Sequence, residues 1–435
     1  MRIAVFAGLA VAAAAVQARD VTVEGIPGAE MERRWLEFRT QTNHTERIQG
    51  AIDEVFRVGG GTVTVGEGDF YVKGLRLRSN VTLHLARNAR LFASRDSSDF
   101  DILGKDAVEP VGDYGNRRQA LATNTYRKVT KVSATGNFLA PWNDGIIRIY
   151  RAHDVAITGE EGSVIDGMNG YNPEGEEKYR GVHGISCFES TNIVFRGVHL
   201  RHTGNWAFRI QACADIVCEK SSAMAGHDGF HIRACDRVRV TDCTFWTGDD
   251  SIAGFDNHDV IVRGCDLSSA CSAFRFGGRD ILIEDCTAHG PCPYFFRGCL
   301  TPQARKDGAW DPRTMAGKRA MNNFFLYFVD ITLPLRYRPG NIVIRNCRVS
   351  DCGRFIRYNL GGEYWQVGEP FETLTVENCT AERMREPIQA NAGKDDAGVS
   401  VLTIRNSSFS FTTPQERLVD EAYMRKVVLD DVKID

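Results

Sequence analysis

The sequence predicts an all-β fold, a β-solenoid, and two observations carry this prediction. Short strand-like segments begin at residues 192, 215, 237, 259 and 280. A near-constant period of about 22 residues is typical of a solenoid. Alternating β-branched residues between Gly, Asn and Asp make the repeated unit a strand rather than a helix. The segments are Asn192–Phe195, Asp215–Cys218, Arg237–Val240, Asp259–Val262, Asp280–Ile283, Asn341–Ile344, Thr373–Val376 and Val401–Ile404.

A leucine-rich repeat is the alternative for a period in the twenties. That repeat requires a Leu-rich consensus, which this chain lacks, although a Cys ladder is present. We therefore expect each coil to stack on the preceding one at the spacing of neighbouring strands, about 4.8 Å.

Residues 1–18 predict a secretory signal peptide. Arg2 supplies the positive end, Ile3–Val16 is a run of apolar and small residues, and Val16-Gln17-Ala18 forms a small-x-small cleavage site. The run is too short to span a bilayer, and no later stretch approaches the required length. A secreted or periplasmic protein without a membrane span is expected.

The mature chain, residues 19–435, is predicted to form one β-solenoid domain. Thr45–Phe56 is amphipathic, with its apolar residues on one helical face, and predicts a helix that caps the open N-terminal end. Gly59-Gly60-Gly61 then predicts a turn into the first coil. Two long loop insertions are expected near 96–150 and 291–340, where the period is interrupted, and such loops often line a binding face.

Composition restricts the partners. The formal net charge is −3, with 53 Lys and Arg against 56 Asp and Glu, which favours neither a nucleic acid nor a membrane surface. Thirteen cysteines in an exported chain suggest disulfides. However, Cys218, Cys243, Cys265 and Cys286 recur with the strands, so we favour an inward stack of free thiols.

Three carboxylates form the strongest functional signal. Asp228 lies in Gly226-His227-Asp228-Gly229, and Asp250 closes Gly248-Asp249-Asp250 one repeat later. The period therefore stacks Asp228 and Asp250 on adjacent coils with Asp249 beside them. Stacked carboxylates repel and their pKa values move apart, so one can hold a proton while another is ionised, as acid/base cleavage of a sugar linkage requires. The alternative is a solvated charged face with ladder salt bridges.

Stacking the coils also predicts columns of side chains. Phe208, Phe230, Ile252 and Phe274 align and should face inward, whereas the intervening column should face outward because side chains alternate along a strand. The outward column contains Arg209, His231, Ala253 and Arg275, followed by Arg297 and Arg357. The column that precedes each strand contains Trp206, Asp228, Asp250, Ser272 and Tyr294.

Two expectations follow from these columns. We expect the chain to bend near Gly229, so that the column of Asp228 and Asp250 turns outward, because buried unpaired carboxylates are costly. The arginines suggest an anionic ligand, since a guanidinium group matches a carboxylate in a bidentate fork. Neutralisation of the aspartates by the same arginines is an equal alternative.

These residues resemble the polygalacturonases, glycoside hydrolase family 28 of the pectate-lyase-like superfamily, over nearly all of the mature chain. The matching motifs are Ile48-Gln49-Gly50-Ala51-Ile52-Asp53, Gly59-Gly60-Gly61, Ile165-Asp166-Gly167 and Gly248-Asp249-Asp250-Ser251-Ile252-Ala253. The resemblance implies a single-stranded right-handed parallel β-helix and inverting hydrolysis of a glycosidic bond without a metal or other cofactor. It implies Asp249 as general acid, and Asp228 and Asp250 as the residues that activate water.

The sequence departs from the family pattern around these carboxylates. The family's Asn-Thr-Asp-Gly is Gly226-His227-Asp228-Gly229, and its Gly-His-Gly falls at Cys271-Ser272-Ala273, so its histidine is replaced by Ser272. Its Arg-x-Lys falls near Arg297. His227 or His231 is a candidate for the missing histidine's role. We therefore predict a divergent member whose substrate-binding residues are His227, His231, Arg209, Arg275, Arg297 and Arg357.

Three functions remain open at this point. The first is a secreted hydrolase of an acidic, pectin-like polysaccharide, acting as a monomer, with polysaccharide or oligosaccharide as its only partner class. The second is a lyase, which in this superfamily typically uses Ca²⁺ held by acidic residues and an Arg or Lys base, here Arg275 or Arg297. The third is a glycan-binding protein without catalysis.

Overall fold

The chain winds into stacked coils in which every strand pairs in parallel with strands of neighbouring coils. The structure is a computed structural model and describes residues 21–23, 44–100, 144–307, 316–329, 335–360, 369–394 and 398–435. Each complete coil contributes strands to three parallel sheets, as expected for a right-handed parallel β-helix. The predicted signal segment, residues 1–18, and most of the first predicted insertion lie outside the described residues.

The first sheet carries the column that contains His231. Its strands are Leu75–Leu77, Gly145–Tyr150, His183–Phe188, Phe208–Gln211, Phe230–Arg233, the first parts of Ile252–Arg263 and Ser272–Glu284, Met321–Tyr327, Cys352–Asn359, Ile388–Asn391 and Val419–Ala422.

The second sheet contains the segments that reveal the repeat. Its strands are Val21–Val23, Gly61–Val65, Val81–Leu85, His153–Gly159, Thr191–Arg196, Ala214–Glu219, Asp236–Thr241, the later parts of Ile252–Arg263 and Ser272–Glu284, Gly340–Arg345, Thr373–Glu377, Val401–Phe411 and Lys426–Ile434.

The third sheet completes each coil. Its strands are Gly68–Val72, Ala89–Ala93, Val164–Asp166, His199–Arg201, Ser222–Ala225, Thr244–Thr247, Asp266–Ser269, Thr287–His289, Arg348–Ser350, Thr380–Met384 and the end of Val401–Phe411.

The Asn or Asp that begins most repeats has a backbone role. Asn192, Asp215, Asp259, Asp280 and Asn341 have φ angles between 51° and 57°. This left-handed conformation strains most side chains, but Asn and Asp tolerate it. The conformation turns the chain into the next strand, which explains why the repeat begins with these residue types.

The interior consists of aligned apolar columns, as predicted. Phe208 pairs in register with Phe230, Phe230 with Ile252, and Ile252 with Phe274, and all four side chains are fully buried. All 13 cysteines are free, and 11 of them are buried. The predicted stack of thiols is therefore confirmed.

The predicted capping helix extends over Thr45–Arg57. Its buried residues are Ile48, Ala51, Ile52 and Val55, which pack on the first coil. The remaining helical segments are short: Ser97–Asp99, Glu176–Lys178, Arg297–Cys299 and Ala316–Lys318 are 3₁₀ turns, and Pro302–Asp307 is an α-helix. Across the described ranges, no helix is long and apolar enough to cross a membrane.

Two column assignments were wrong. Ser272 pairs with Asn323, not with Tyr294, and the position opposite Arg275 is Leu326, not Arg297. The error has a simple cause: counting one repeat on from Ser272 and Arg275 ends inside the loop that follows His289. The chain returns to the first sheet only at Met321–Tyr327. This strand interrupts the predicted 291–340 insertion, which is therefore shorter than expected.

Candidate active site

The three carboxylates meet where the chain enters the first sheet. The pairing of Phe230 with Ile252 places Asp228 next to Asp250, and the backbone N–H of Asp250 donates to Asp228 Oδ1 at 3.3 Å. Ser272 in the next coil donates its backbone N–H to Asp250 Oδ1 at 3.1 Å. One oxygen of each carboxylate lies within 4.8 Å of the others, with Asp249 as the third member.

The local sequence holds this turn rigidly. The carbonyl of Asp249 accepts hydrogen bonds from Thr247 Oγ1 at 2.8 Å and from Ser269 Oγ at 2.6 Å. A Cβ atom on Gly248 would lie 2.0 Å from the carbonyl oxygen of Phe295. Only glycine at position 248 therefore lets the loop around Phe295 pack directly onto the Gly-Asp-Asp turn.

The three carboxylates differ in exposure. Asp228 and Asp250 are 1% and 3% exposed, whereas the side chain of Asp249 is 20% exposed. Asp228 hydrogen-bonds His231 and lies near Arg275, and both partners belong to the outward column. The carboxylates of Asp228 and Asp250 therefore lie on the side of the outward column, as expected, but both are buried there, contrary to the reason given for that expectation. Of the three, Asp249 is the one most accessible to a substrate.

Arg275 reaches back across one coil to the aspartates. Its Nε donates to Asp250 Oδ2, and its Nη2 lies 3.8 Å from Asp228 Oδ2. The residue between Arg275 and His231 in the outward column is Ala253, whose methyl group leaves room for this path. The guanidinium group also packs on the ring of Phe328, at 4.5 Å from its centroid.

His231 lies behind Asp228 rather than in the open site. Its Nδ1 is 2.6 Å from Asp228 Oδ2, and its Nε2 accepts a hydrogen bond from Arg233 Nε at 2.8 Å. Its ring stacks on Trp206, with centroids 3.8 Å apart and planes at 11°. The side chain is 1% exposed. Burial, with Arg233 and Arg275 nearby, lowers the pKa of His231 well below its ordinary value.

Burial and mutual repulsion raise the pKa values of all three carboxyl groups. Burial, followed by Asp250, raises the pKa of Asp228 to about 7. Burial, followed by Asp228, raises the pKa of Asp249 to about 7. Burial also raises the pKa of Asp250 to about 6, against the opposing effect of Arg275. The cluster therefore shares protons near neutral pH.

Arg180 is a site residue that sequence reasoning missed. Its Nη2 lies 3.5 Å from Asp249 Oδ2, and its Nε lies 3.1 Å from Glu177 Oε2. The side chain is only 4% exposed. The coil that carries Arg180 contains an insertion. Ile165 and its strand partner Leu200 are separated by many more residues than Leu200 and its next partner, Ala223. This longer interval between repeats was the signal in the sequence that could have revealed the inserted segment.

The predicted substrate-binding residues occupy different environments. Arg209 pairs with His231 in the outward column, as predicted. Its guanidinium group donates to Ser186 Oγ at 3.1 Å and to Gln211 Oε1 at 2.9 Å. Burial, together with nearby Arg233, lowers the pKa of Arg209 to about 9.

The remaining predicted residues lie further from the carboxylates or under loops. Arg357 is in the outward column, two positions beyond Arg275. Arg297 lies in a 3₁₀ turn of the loop, where it donates to the carbonyls of Gly170 and Gly204 at 3.3–3.4 Å. His227 is fully buried, and neither of its ring nitrogens has a hydrogen-bond partner among the described residues.

The carboxylate group is a poor fit for a metal ion, although its oxygens are close enough together to hold one. Arg275 bonds Asp250 and approaches Asp228, and Arg180 approaches Asp249. Guanidinium groups at these positions compete with a divalent cation for the same oxygens and repel it. The arginines thus supply the positive charge that a metal would bring.

Known proteins share this fold and part of this sequence. A family described as "Right handed beta helix region" matches residues 183–290, the coils that carry the carboxylates. A "Probable polygalacturonase" of Vitis vinifera is 26% identical over 235 residues, which are 51% of this chain and 43% of the relative. An exopolygalacturonase structure from Thermotoga maritima superposes with a TM-score of 0.62 at 14% identity, covering 96% of this chain and 93% of that chain. This chain is polygalacturonase-like.

The polygalacturonase-like chain spans less than half the length of its curated plant relative. The structural likeness, at 14% identity, shows a shared fold. The same fold occurs in the A-module of a mannuronan C-5 epimerase from Azotobacter vinelandii, with a TM-score of 0.56, 13% identity and coverage of 90% and 91%. Because one fold serves both kinds of protein, the reaction must be argued from the site.

Proposed function

We propose that this protein is a glycoside hydrolase that cleaves a glycosidic bond in an acidic, pectin-like polysaccharide. The observation that carries the proposal is the cluster of Asp228, Asp249 and Asp250, whose pKa values are raised to about 6–7 and whose hydrogen-bond partners differ. Carboxyl groups tuned in this way can divide acid and base roles near neutral pH. The curated relative named a polygalacturonase supports the pectin-like substrate.

Asp249 is proposed as the general acid. It is the most exposed of the three carboxylates, so it can meet the glycosidic oxygen. Burial and the neighbouring Asp228 favour its protonated form. Arg180 Nη2 lies 3.5 Å from Asp249 Oδ2, whereas Arg275 Nε donates a hydrogen bond to Asp250 and so favours the ionised form of Asp250 more strongly. The shared proton therefore resides best on Asp249.

Asp228 and Asp250 are proposed to activate the water. Both oxygens of Asp228 accept hydrogen bonds, from His231 Nδ1 and from the backbone N–H of Asp250. Both oxygens of Asp250 also accept hydrogen bonds, from Ser272 and Arg275. Hydrogen bonds donated to a carboxylate favour its ionised form, which is the form a general base requires.

The stereochemistry provides a separate test. Water activation by Asp228 and Asp250 implies inversion, as does the family resemblance. However, the nearest oxygens lie within 4.8 Å, shorter than the separation of about 6.5–9.5 Å that inverting enzymes generally use. Proton NMR of the first product identifies its anomer. Inversion supports the water-activating pair, and retention would make one of them the nucleophile.

The arginines divide between two roles. Arg275 and Arg180 contact the aspartates, which favours the neutralising role that the sequence left as an equal alternative. Binding of an anionic sugar is proposed for Arg357, the half-buried member of the predicted set, because the side chains of Arg209, Arg297 and His227 are buried. We also propose that the protein is exported, acts as a monomer and uses no cofactor.

The decisive experiment uses the isosteric change Asp249→Asn. We expect it to reduce the release of reducing ends from polygalacturonate or a related acidic polysaccharide by at least about 10²-fold, because general acid catalysis contributes about 10²–10⁴-fold. Asp420→Asn is the matched control, since Asp420 is exposed on the same sheet far from the site. Full activity in Asp249→Asn would overturn the proposal.

The same assay separates the alternative functions. Ultraviolet absorbance of unsaturated products, together with loss of activity in EDTA, would identify a lyase. Saturable glycan binding without any cleavage across acidic and neutral polysaccharides would identify a binding protein. Hydrolysis predicts reducing ends without ultraviolet absorbance, and activity that EDTA does not change.

A further inference from the structure

We propose that His231 and Arg233 form a positioning relay that keeps Asp228 ready to act as a base. The inference rests on the proposed hydrolytic function. It assigns roles to two buried side chains that do not contact the substrate, and it replaces the expectation that His231 binds substrate directly.

The tautomer of His231 follows from which of the neighbouring atoms can donate a hydrogen bond. Arg233 Nε is always a donor, and it points at His231 Nε2 at 2.8 Å. Nε2 must therefore be the unprotonated, accepting nitrogen of a neutral ring. The ring proton is then on Nδ1, where it donates to Asp228 Oδ2 at 2.6 Å. Arg233 thus selects the one tautomer that can donate a hydrogen bond to Asp228.

Packing prevents the ring from adopting another arrangement. Trp206 stacks on the His231 ring at 3.8 Å, almost in parallel. The guanidinium group of Arg233 lies over Trp206 at 4.8 Å and near Phe255 at 5.6 Å. Rotation of either side chain would break a stacked contact as well as a hydrogen bond, so the donor direction is preorganised.

The charged surroundings also oppose a protonated histidine. The groups that act on His231 are Arg233, Arg275, His183 and Arg209, with Asp228 as its hydrogen-bond partner. A second proton on Nε2 would confront the N–H of Arg233 directly. The ring therefore stays neutral and serves as a fixed donor, not as an acid or a base.

The consequence concerns the proton affinity of Asp228. Asp228 is influenced by Asp250, Arg275, Arg180 and Glu176, and its burial opposes ionisation. A donor fixed on Oδ2 stabilises the carboxylate form and prevents Oδ2 from carrying the proton. The proton of the cluster is thereby directed toward Asp249.

The test compares variants that remove or retain the donors. His231→Leu removes the donor to Asp228, whereas His231→Asn retains an amide near the position of Nδ1. Arg233→Met removes the donor to Nε2 but keeps the stem on Trp206, and Arg233→Lys retains a cation and a donor. We measure kcat and KM on the same polysaccharide between pH 4 and pH 8, together with the melting temperature of each variant.

We expect His231→Leu and Arg233→Met to lower kcat by about 10–100-fold with KM within about twofold, because the lost contacts act on the base and not on the substrate. The acidic limb of the kcat/KM profile should move to higher pH by about one unit, since a carboxylate that loses a donor holds its proton more tightly. His231→Asn and Arg233→Lys should lie nearer to wild type in both respects.

Opposite outcomes overturn the relay. If folded His231→Leu or Arg233→Met keeps the wild-type acidic limb, the two residues have only a structural role. If the leucine and methionine variants fail to fold, the relay requires near-wild-type profiles in His231→Asn and Arg233→Lys, and a rise of KM alone in these two variants contradicts it.

If wild type hydrolyses the polysaccharide and Asp249→Asn does not, an unchanged pH profile in the relay variants refutes only the relay. A wild-type protein without hydrolase activity refutes both proposals.

Discussion

At the scale of single residues, the site is defined by three buried or half-buried carboxylates, each of which has a different cationic or hydrogen-bonding partner. Asp250 has Arg275, Asp228 has His231, and Asp249 has a longer contact to Arg180. These unequal partners distinguish the three chemically, although their oxygens lie within 4.8 Å of one another. Asp249 is left as the group that ionises with least support from its neighbours.

This arrangement predicts how stability depends on pH. Burial and then Asp228 raise the folded-state pKa of Asp249 to about 7, above the ordinary value of 3.8. The folded state therefore binds this proton more tightly than the unfolded chain. The stabilisation is fully present below about pH 3.8 and is lost as pH rises through about 7.

Asp249→Asn should remove that pH-dependent contribution. We expect the difference in melting temperature, variant minus wild type, to become more positive between pH 5 and pH 8. Differential scanning fluorimetry across this range measures it, with Asp420→Asn, an exposed position far from the site, as the control substitution. A difference that is constant or decreases with pH would contradict the assigned environment of Asp249.

At the scale of structural elements, the corner between the second and third sheets carries a ladder of thiols. Cys265 Sγ donates to the carbonyl of Arg263 at 3.5 Å, and the serines at the two ends of the ladder make the same bond. Ser221 Oγ donates to Glu219 O at 3.0 Å, and Ser407 Oγ donates to Arg405 O at 2.8 Å. The members between these serines are Cys243, Cys265, Cys286, Cys347 and Cys379. The ladder therefore adds a second donor to corner carbonyls that already accept a backbone N–H, as well as filling space.

This reasoning distinguishes two substitutions of Cys265. Cys265→Ser keeps the donor and should reduce the free energy of unfolding less than Cys265→Ala, by about 1 kcal/mol, the usual net contribution of one hydrogen bond. Urea titration followed by circular dichroism measures the difference, and the exposed Cys299→Ala is the control. Equal losses in the serine and alanine variants would show that the thiol only fills space.

At the scale of the whole molecule, stability comes from stacking, because each coil buries its apolar column only against its neighbours. The helix Thr45–Arg57 protects the first coil by burying Ile48, Ala51, Ile52 and Val55 there. A long strand edge without such a cover can pair with another chain. The helix therefore serves solubility as well as stability.

Ile48→Asp places a charge in the buried helix face and should detach the helix from the coil. We expect a lower melting temperature and larger assemblies than wild type, measured by size-exclusion chromatography with light scattering. Arg47→Asp introduces the same residue at the exposed neighbouring position and is the matched control. If both variants have the mass of wild type, the helix is not needed to prevent association.

The repeat, the inward columns and the clustering of Asp228, Asp249 and Asp250 were determined by the sequence alone. Each depends on a local rule, the near-constant period of the repeat, which holds while coils follow one another without insertion. The tertiary structure decided the rest. Asn323 and Leu326, not Tyr294 and Arg297, continue the columns because a loop separates the strands. Arg180 reaches Asp249 from an inserted segment, and Arg233 orients His231 through a contact within one strand. These contacts depend on how loops fold back over the sheet and how side chains pack beneath them, and a periodic pattern carries no information about either.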